Sequence, residues 1–129
     1  MTIEDYHAFC LNLPFTIEDF PFDQKTMVFK VGNAEQAKMF ALTDINEFNF
    51  VNLKVEPEES LKLQDEHGDA ITPGYHMNKK HWISVITDES LSDEFVEGLI
   101  IDSYNIVKKS LPKKVREQLD VLHSSNAKE

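Results

Sequence analysis

Cysteine is nearly absent from this chain. The single thiol, Cys10, excludes an intramolecular disulfide and leaves no cysteine pair for a structural zinc site. Glycine is scarce as well. Gly32, Gly68, Gly74 and Gly98 lie too far apart to make a G-x-G-x-x-G or Walker loop, so phosphate cradles of those kinds are excluded. There is no G-x-S-x-G elbow for a serine hydrolase. No window approaches the ~20 apolar residues that cross a bilayer. The opening stretch MTIEDYHAFC carries acids where a secretory signal carries Lys or Arg. Neither export nor a membrane is expected, and a cytoplasm that keeps thiols reduced is the expected location.

Bases are in short supply too. Thirteen Lys and Arg face 23 Asp and Glu, for a formal charge of −10. Proteins that grip phosphate backbones gain most of their non-specific affinity from Lys and Arg, so global steering toward DNA is disfavoured. Any nucleic-acid contact must come from a local patch. The bases do cluster: Lys79 with Lys80, and Lys108, Lys109, Lys113 and Lys114 with Arg116. The first 23 residues hold Glu4, Asp5, Glu18, Asp19 and Asp23 and no base. The plain reading of this asymmetry is solvated surface and the preference of cations for helix C-termini.

What the chain does have is core. Its 41% apolar content and nine Phe suffice for one domain over residues 1–129. Thr2–Asp5 reads as a capping box, followed by Tyr6, Phe9, Cys10 and Leu13 at helical spacing until Pro14. Residues 14–25 read as a connecting segment. MVFKV (27–31) and KMFAL (38–42) read as a hairpin, and FNFVNLKV (48–55) as a third strand. In the last, Phe48 and Phe50 share one face and Val51, Leu53 and Val55 the other. That change of phase implies burial on both sides or a bulge near Phe50–Val51. Pro57 opens a second helix with Leu61 and Leu63 facing inward and Gly68 closing it. Asp69–Gly74 reads as a turn and HWISVIT (81–87) as a central strand. Ser92 caps a long amphipathic helix that Pro112 ends, and Val115, Leu119 and Leu122 support a short last helix. Residues 123–129 read as a loose tail. The expected fold is α+β: an antiparallel sheet of four or more strands with helices on one face.

Catalytic chemistry finds little support. Cys10 lies on the apolar stripe of the first helix, where a thiol is a core residue without a base to ionise it. His76 and His81 are five positions apart, a spacing that on a strand puts them on opposite faces, and His7, His67 and His123 have no partner at ligand spacing. The acids of the first helix could collect a hard cation weakly, although Glu4 and Asp5 already serve the cap. No cofactor and no enzymatic activity are expected.

One stretch stands apart: TPGYHMNKKHWISV, Thr72 to Val85. It combines stacking groups (Tyr75, Trp82), hydrogen-bonding groups (His76, Asn78, His81) and positive charge (Lys79, Lys80). Bases stack on aromatics and lysines meet phosphates, yet Asn78 also suits a turn, and Tyr75 or Trp82 could anchor core. Structural hairpin and binding surface both remain open on composition.

The order of residues goes further. PGYHMNKKHW (73–82) resembles the signature of the MmcQ/YjbR family of small bacterial proteins. VFKV (28–31) followed by KMFAL (38–42), VNLKVEPE (51–58) and DSYNIVKKSLPKKVR (102–116) fall in the same order, so the resemblance spans almost the whole chain. It implies a fold like that of the frataxin homologue CyaY, a "double wing" of sheet and turns, and DNA binding. GNAEQA (32–37) looks longer than the family's tight connection, and Val55 stands where members often have Cys. The leading expectation is a monomeric, non-enzymatic DNA-binding module that uses Tyr75, His76, Asn78, Lys79, Lys80, His81 and Trp82. The alternatives are a protein-interaction or regulatory module, and a frataxin-like weak metal binder.

Overall fold

The computed structural model describes residues 1–127, with side chains described for residues 1–122. The elements are α1 (Ile3–Leu11), β1 (Thr16–Asp19), β2 (Thr26–Gly32), β3 (Ala37–Asp44), β4 (Phe50–Lys54), α2 (Pro57–His67), β5 (Ile71–Pro73), β6 (Trp82–Ile86), α3 (Asp93–Lys109) and α4 (Lys113–Ala127). The strands form one antiparallel sheet in the order β1-β2-β3-β4-β6-β5. This is the α+β fold that the hydrophobic pattern implies. The expected loose tail, 123–129, lies outside the residues described in full.

The helices start where short-range chemistry places them. Thr2 Oγ1 accepts from the Asp5 amide at 3.1 Å while Asp5 receives the Thr2 amide, which completes the capping box. Ser92 Oγ accepts from the Phe95 amide at 3.1 Å and starts α3. Pro57 stands at the head of α2, and Gly68 closes it with φ +50°. Tyr6 and Cys10 on α1 and Val96, Ile100, Tyr104 and Val107 on α3 press onto one sheet face. There they meet Phe29, Phe40, Val51, Leu53, Ile83 and Val85. Ser103 secures the crossing of α3: its hydroxyl donates to Phe40 O at 2.6 Å and accepts from the Lys54 amide at 2.8 Å.

Several local expectations need correction. Residues 14–25 contain β1, an edge strand that TIED conceals because it is short and polar. Asp69–Gly74 holds a 3₁₀ turn (Gly68–Ala70) and then β5, a three-residue edge strand on which Pro73 is tolerated. Leu61 is 71% exposed. Positions two apart on a helix lie ~200° apart, so Leu61 and Leu63 cannot both face inward. Ser60 is the buried companion of Leu63. The last helix is longer than expected, at 15 residues.

The phase change in FNFVNLKV has a specific cause. The strand begins at Phe50; Phe48 precedes it and packs on the core against Tyr6, whereas Phe50 faces the other side. Val51, Asn52 and Leu53 are all buried, so the strand is covered on both sides. The bulge lies between β2 and β3 instead: the register shifts at Phe29/Lys30, and Phe40 and Ala41 both enter the core. GNAEQA closes as a turn over Asn33–Gln36, with Asn33 Oδ1 accepting from the amides of Glu35 and Gln36. Gly32 is required there, since at φ +150° an added Cβ would stand 2.2 Å from Gln36 O.

Burial pushes the Cys10 thiol up to about 12. A thiol held neutral in the fold contributes stability below the unfolded pKa of about 8.5, and that contribution fades as pH rises toward 12. Native protein at pH 8 should therefore leave a thiol reagent such as DTNB unreacted over minutes, and denatured protein should release one equivalent. Rapid native labelling would show that α1 does not seal the core.

Candidate functional site

The stretch that the sequence singles out links β5 to β6 and folds back over the sheet face opposite the helices. Gly74 makes the fold-back possible. Its amide donates to Trp82 O at 2.8 Å, and a Cβ at Gly74 would come within 2.7 Å of the Trp82 Cβ. Met77 then packs with Val28, Leu42 and Trp82 in a small apolar cluster on this open face.

A buried polar network fixes the turn from beneath. Asn52 on β4 and Ser84 on β6 are register partners, each 5% exposed. Ser84 Oγ donates to Asn52 Oδ1 at 2.5 Å and accepts from the Tyr75 amide at 2.9 Å. Asn52 Nδ2 donates to Tyr75 O at 3.1 Å. Both backbone groups of Tyr75 are thereby tied to the sheet. The far side of the turn closes on Asn78: its carbonyl accepts from the amides of His81 and Trp82, and its Oδ1 accepts from the Lys80 amide at 3.0 Å.

The seven predicted site residues are brought onto this one turn, but in different states. Tyr75, His76, Asn78, Lys79 and Lys80 are exposed. His76 adopts φ +58°, a left-handed conformation uncommon for histidine, and its ring lies 4.0 Å from that of Tyr75. The Tyr75 ring stands edge-on to Phe50 at 5.7 Å. Lys79 Nζ donates to Gly74 O at 3.3 Å, which tethers it to its own turn, whereas Lys80 makes no side-chain bond among the described residues. His81 is half-buried and its carbonyl accepts from the Val55 amide at 2.9 Å. Trp82 is 6% exposed and has the Lys54 ammonium over its ring at 5.8 Å. Of the two roles open to Trp82, the geometry leaves rigid support, not base stacking.

Strand register also places the charges. Gly32, Ala37, Lys54 and Trp82 stand at one end of the sheet, and Thr26, Asp44, Phe50 and Ile86 at the other. Lys79 and Lys80 lie in the turn just before Trp82, the register partner of Lys54, and so belong to the first end. Lys38 Nζ donates to Ser110 O at 3.1 Å, so the C-terminus of α3, with Lys108 and Lys109, reaches the same end. The two basic groups share an end of the sheet but not a face: the turn covers the open face and α3 covers the other. Asp23, Asp44, Glu47 and Asp88 mark the opposite end.

Asn52, Ser84 and Phe50 escaped prediction. For Asn52 and Ser84 the available signal was a polar residue flanked on both sides by apolar ones at the centre of a strand.

A YjbR family model matches residues 11–106. The chain belongs to the YjbR family. It is 41% identical to the uncharacterized protein YbdF of Escherichia coli O157:H7 over 110 residues, 84% of this chain and 86% of that one. It is 31% identical to the uncharacterized protein YjbR of Escherichia coli K12 over 120 residues, 92% and 98% of the two chains. The crystal structure of Deinococcus radiodurans protein DR2400, a DUF419 domain, superposes with a TM-score of 0.86 at 42% identity, over 92% of this chain and 88% of that one. A Pseudomonas syringae protein superposes with a TM-score of 0.69 at 28% identity, over 83% and 99%.

Ser84→Ala would strand the Tyr75 amide and the Asn52 carbonyl oxygen, at a cost of about 1–3 kcal/mol. Chemical denaturation should register that loss, and hydrogen exchange should quicken at Tyr75 and Met77. Unchanged exchange in the turn would show that Ser84 does not hold it.

Proposed function

We propose that this YjbR-family chain is a non-enzymatic binding module whose contact surface is the Gly74–Trp82 turn, with DNA as its ligand. The observation that carries this reading is the fixation of the turn: its backbone is tied to Asn52 and Ser84, so its exposed polar groups are presented with little backbone ordering left to make on binding. Lys79 and Lys80, with Lys54 at the same end of the sheet, supply local positive charge on a chain of −10. His76 and Asn78 offer hydrogen bonds, and Tyr75 offers an exposed ring for stacking. The turn and the β2–β3 hairpin, at the same end of the sheet, would be the two wings.

The basic groups of α3 and α4 do not join this patch on one face, so the interface is small, neutralises few phosphates and has a correspondingly shallow salt slope. A buried free thiol at Cys10 supports action in a reducing cytoplasm. The chain would act there as a monomer and without a cofactor.

Titration of a labelled duplex at two salt concentrations tests the reading. Lys79→Ala combined with Lys80→Ala should weaken binding and lower the salt slope by about 1 for each phosphate that is no longer neutralised. Unchanged affinity and slope would remove the turn from the interface. No binding at low salt, together with a protein recovered on immobilised chain, would favour a protein-interaction module.

A further inference from the structure

The same turn forms one wall of a cleft at the acidic end of the open face. The cleft encloses about 550 Å³, within the range of roughly 300–1,000 Å³ typical of small-molecule sites. Leu42 and Asn52 lie at its floor, and Phe50, Tyr75 and Phe22 contribute aromatic walls. Phe22 is 64% exposed and Tyr75 57%, so two aromatic rings beside one cleft remain largely in water. Asp23, Asp44 and Glu47 stand at the rim with a single lysine, Lys25.

We propose that this cleft binds a small molecule that carries an ammonium or guanidinium group on a planar apolar body. The charge arrangement selects the cation. Asp44 Oδ1 accepts from the Asn46 and Glu47 amides, and Lys25 Nζ lies 3.7 Å from its other oxygen. Asp23 Oδ1 accepts from the Lys25 and Thr26 amides, which hold its carboxyl below the usual carboxylate range, the Thr26 amide most strongly. The Glu47 carboxylate has no hydrogen-bond or ion partner among the described residues and is exposed. One lysine cannot balance three carboxylates, so an anion is repelled and a cation drawn in. The rings then supply the rest. A cation is attracted to an aromatic face, and a planar body covers Phe22 and Tyr75. The His76 ring lies beside that of Tyr75 and lines the cleft with it. This site takes the charge opposite to that met by Lys79 and Lys80 and does not depend on DNA binding.

The test uses tyramine as the cationic probe, 2-(4-hydroxyphenyl)ethanol as its neutral counterpart and 4-hydroxyphenylacetate as the anion. Amide NMR shifts of the full chain are followed on titration. Tyramine should give saturable shifts over Phe22–Thr26, Asp44–Phe50 and Tyr75–Met77. The neutral compound should bind at least about tenfold more weakly and the anion should cause no shifts. Phe22→Ala and Glu47→Gln alter exposed side chains and should each weaken tyramine binding several-fold, while Lys79→Ala with Lys80→Ala should leave it unchanged. Equal binding of the three compounds, shifts centred elsewhere, unaltered affinity in both cleft variants, or no saturable shift up to about 10 mM tyramine would overturn the assignment.

Discussion

The hydrogen-bond network of Asn52, Ser84 and Tyr75 decides what the open face of this sheet becomes. A row of register partners crosses all six strands, running Asp19, Val28, Leu42, Asn52, Ser84 and Thr72. Its first half is charged and then apolar, and its second half is polar. Hydrophobic contact alone could seat Met77 on Val28 and Leu42, but it would not fix the direction of the turn. Two buried side chains that accept and donate to both backbone groups of one residue do fix it. Buried polar groups without partners cost about 1–3 kcal/mol each, so sheet and turn are favourable only together.

That coupling explains why this sheet differs from one with a bare second face. Helices cover the other side with Phe29, Phe40 and Ile83 beneath them. On the open side Met77 and Met39 cover Val28, Leu42 and Trp82, and the margins beyond this cluster stay accessible. The accessible margins fall at opposite ends and carry opposite charge. Antiparallel register sets the neighbours: residues at the end of β4 and the start of β6 must lie side by side, so Lys54 meets Trp82, which Lys79 and Lys80 shortly precede in the chain. By the same rule Asp44, at the end of β3, neighbours Thr26 and the acidic loop that precedes β2.

Much of this architecture is legible in the residues. Thr2 with Asp5, Ser92, Pro57 and Gly68 mark helix ends through local bonds that need no tertiary context, and all four are used as expected. Long strands with apolar runs, such as MVFKV and HWISVIT, are equally plain. The edge strands are not. TIED and ITP are stable only because β2 and β6 offer them free backbone groups, and a period of two cannot show within three or four residues. The candidate turn was legible as a composition, and its neighbours were not. Asn52, Ser84 and Phe50 acquire their roles from register across β4 and β6, which couples positions some 30 residues apart. Nothing in a window of sequence records that pairing.

Rigidity is the property that links the fold to recognition. Gly74 admits the close approach to Trp82, His76 holds a conformation that few histidines adopt, and Asn78 closes the last bend. A turn fixed at both ends loses little entropy when a ligand arrives, so a small surface can still recognise one. The consequence is directional. Tyr75 and His76, on the first half of the turn, look toward carboxylates, and Lys79 and Lys80, on the second half, stand at the basic end. With its backbone held at Tyr75 by the sheet, the turn cannot rotate to present the lysines to the acidic margin or the tyrosine to the basic one. On the two proposals each half would meet ligands of one charge only, with the Asn52–Ser84 pair beneath them keeping the two apart.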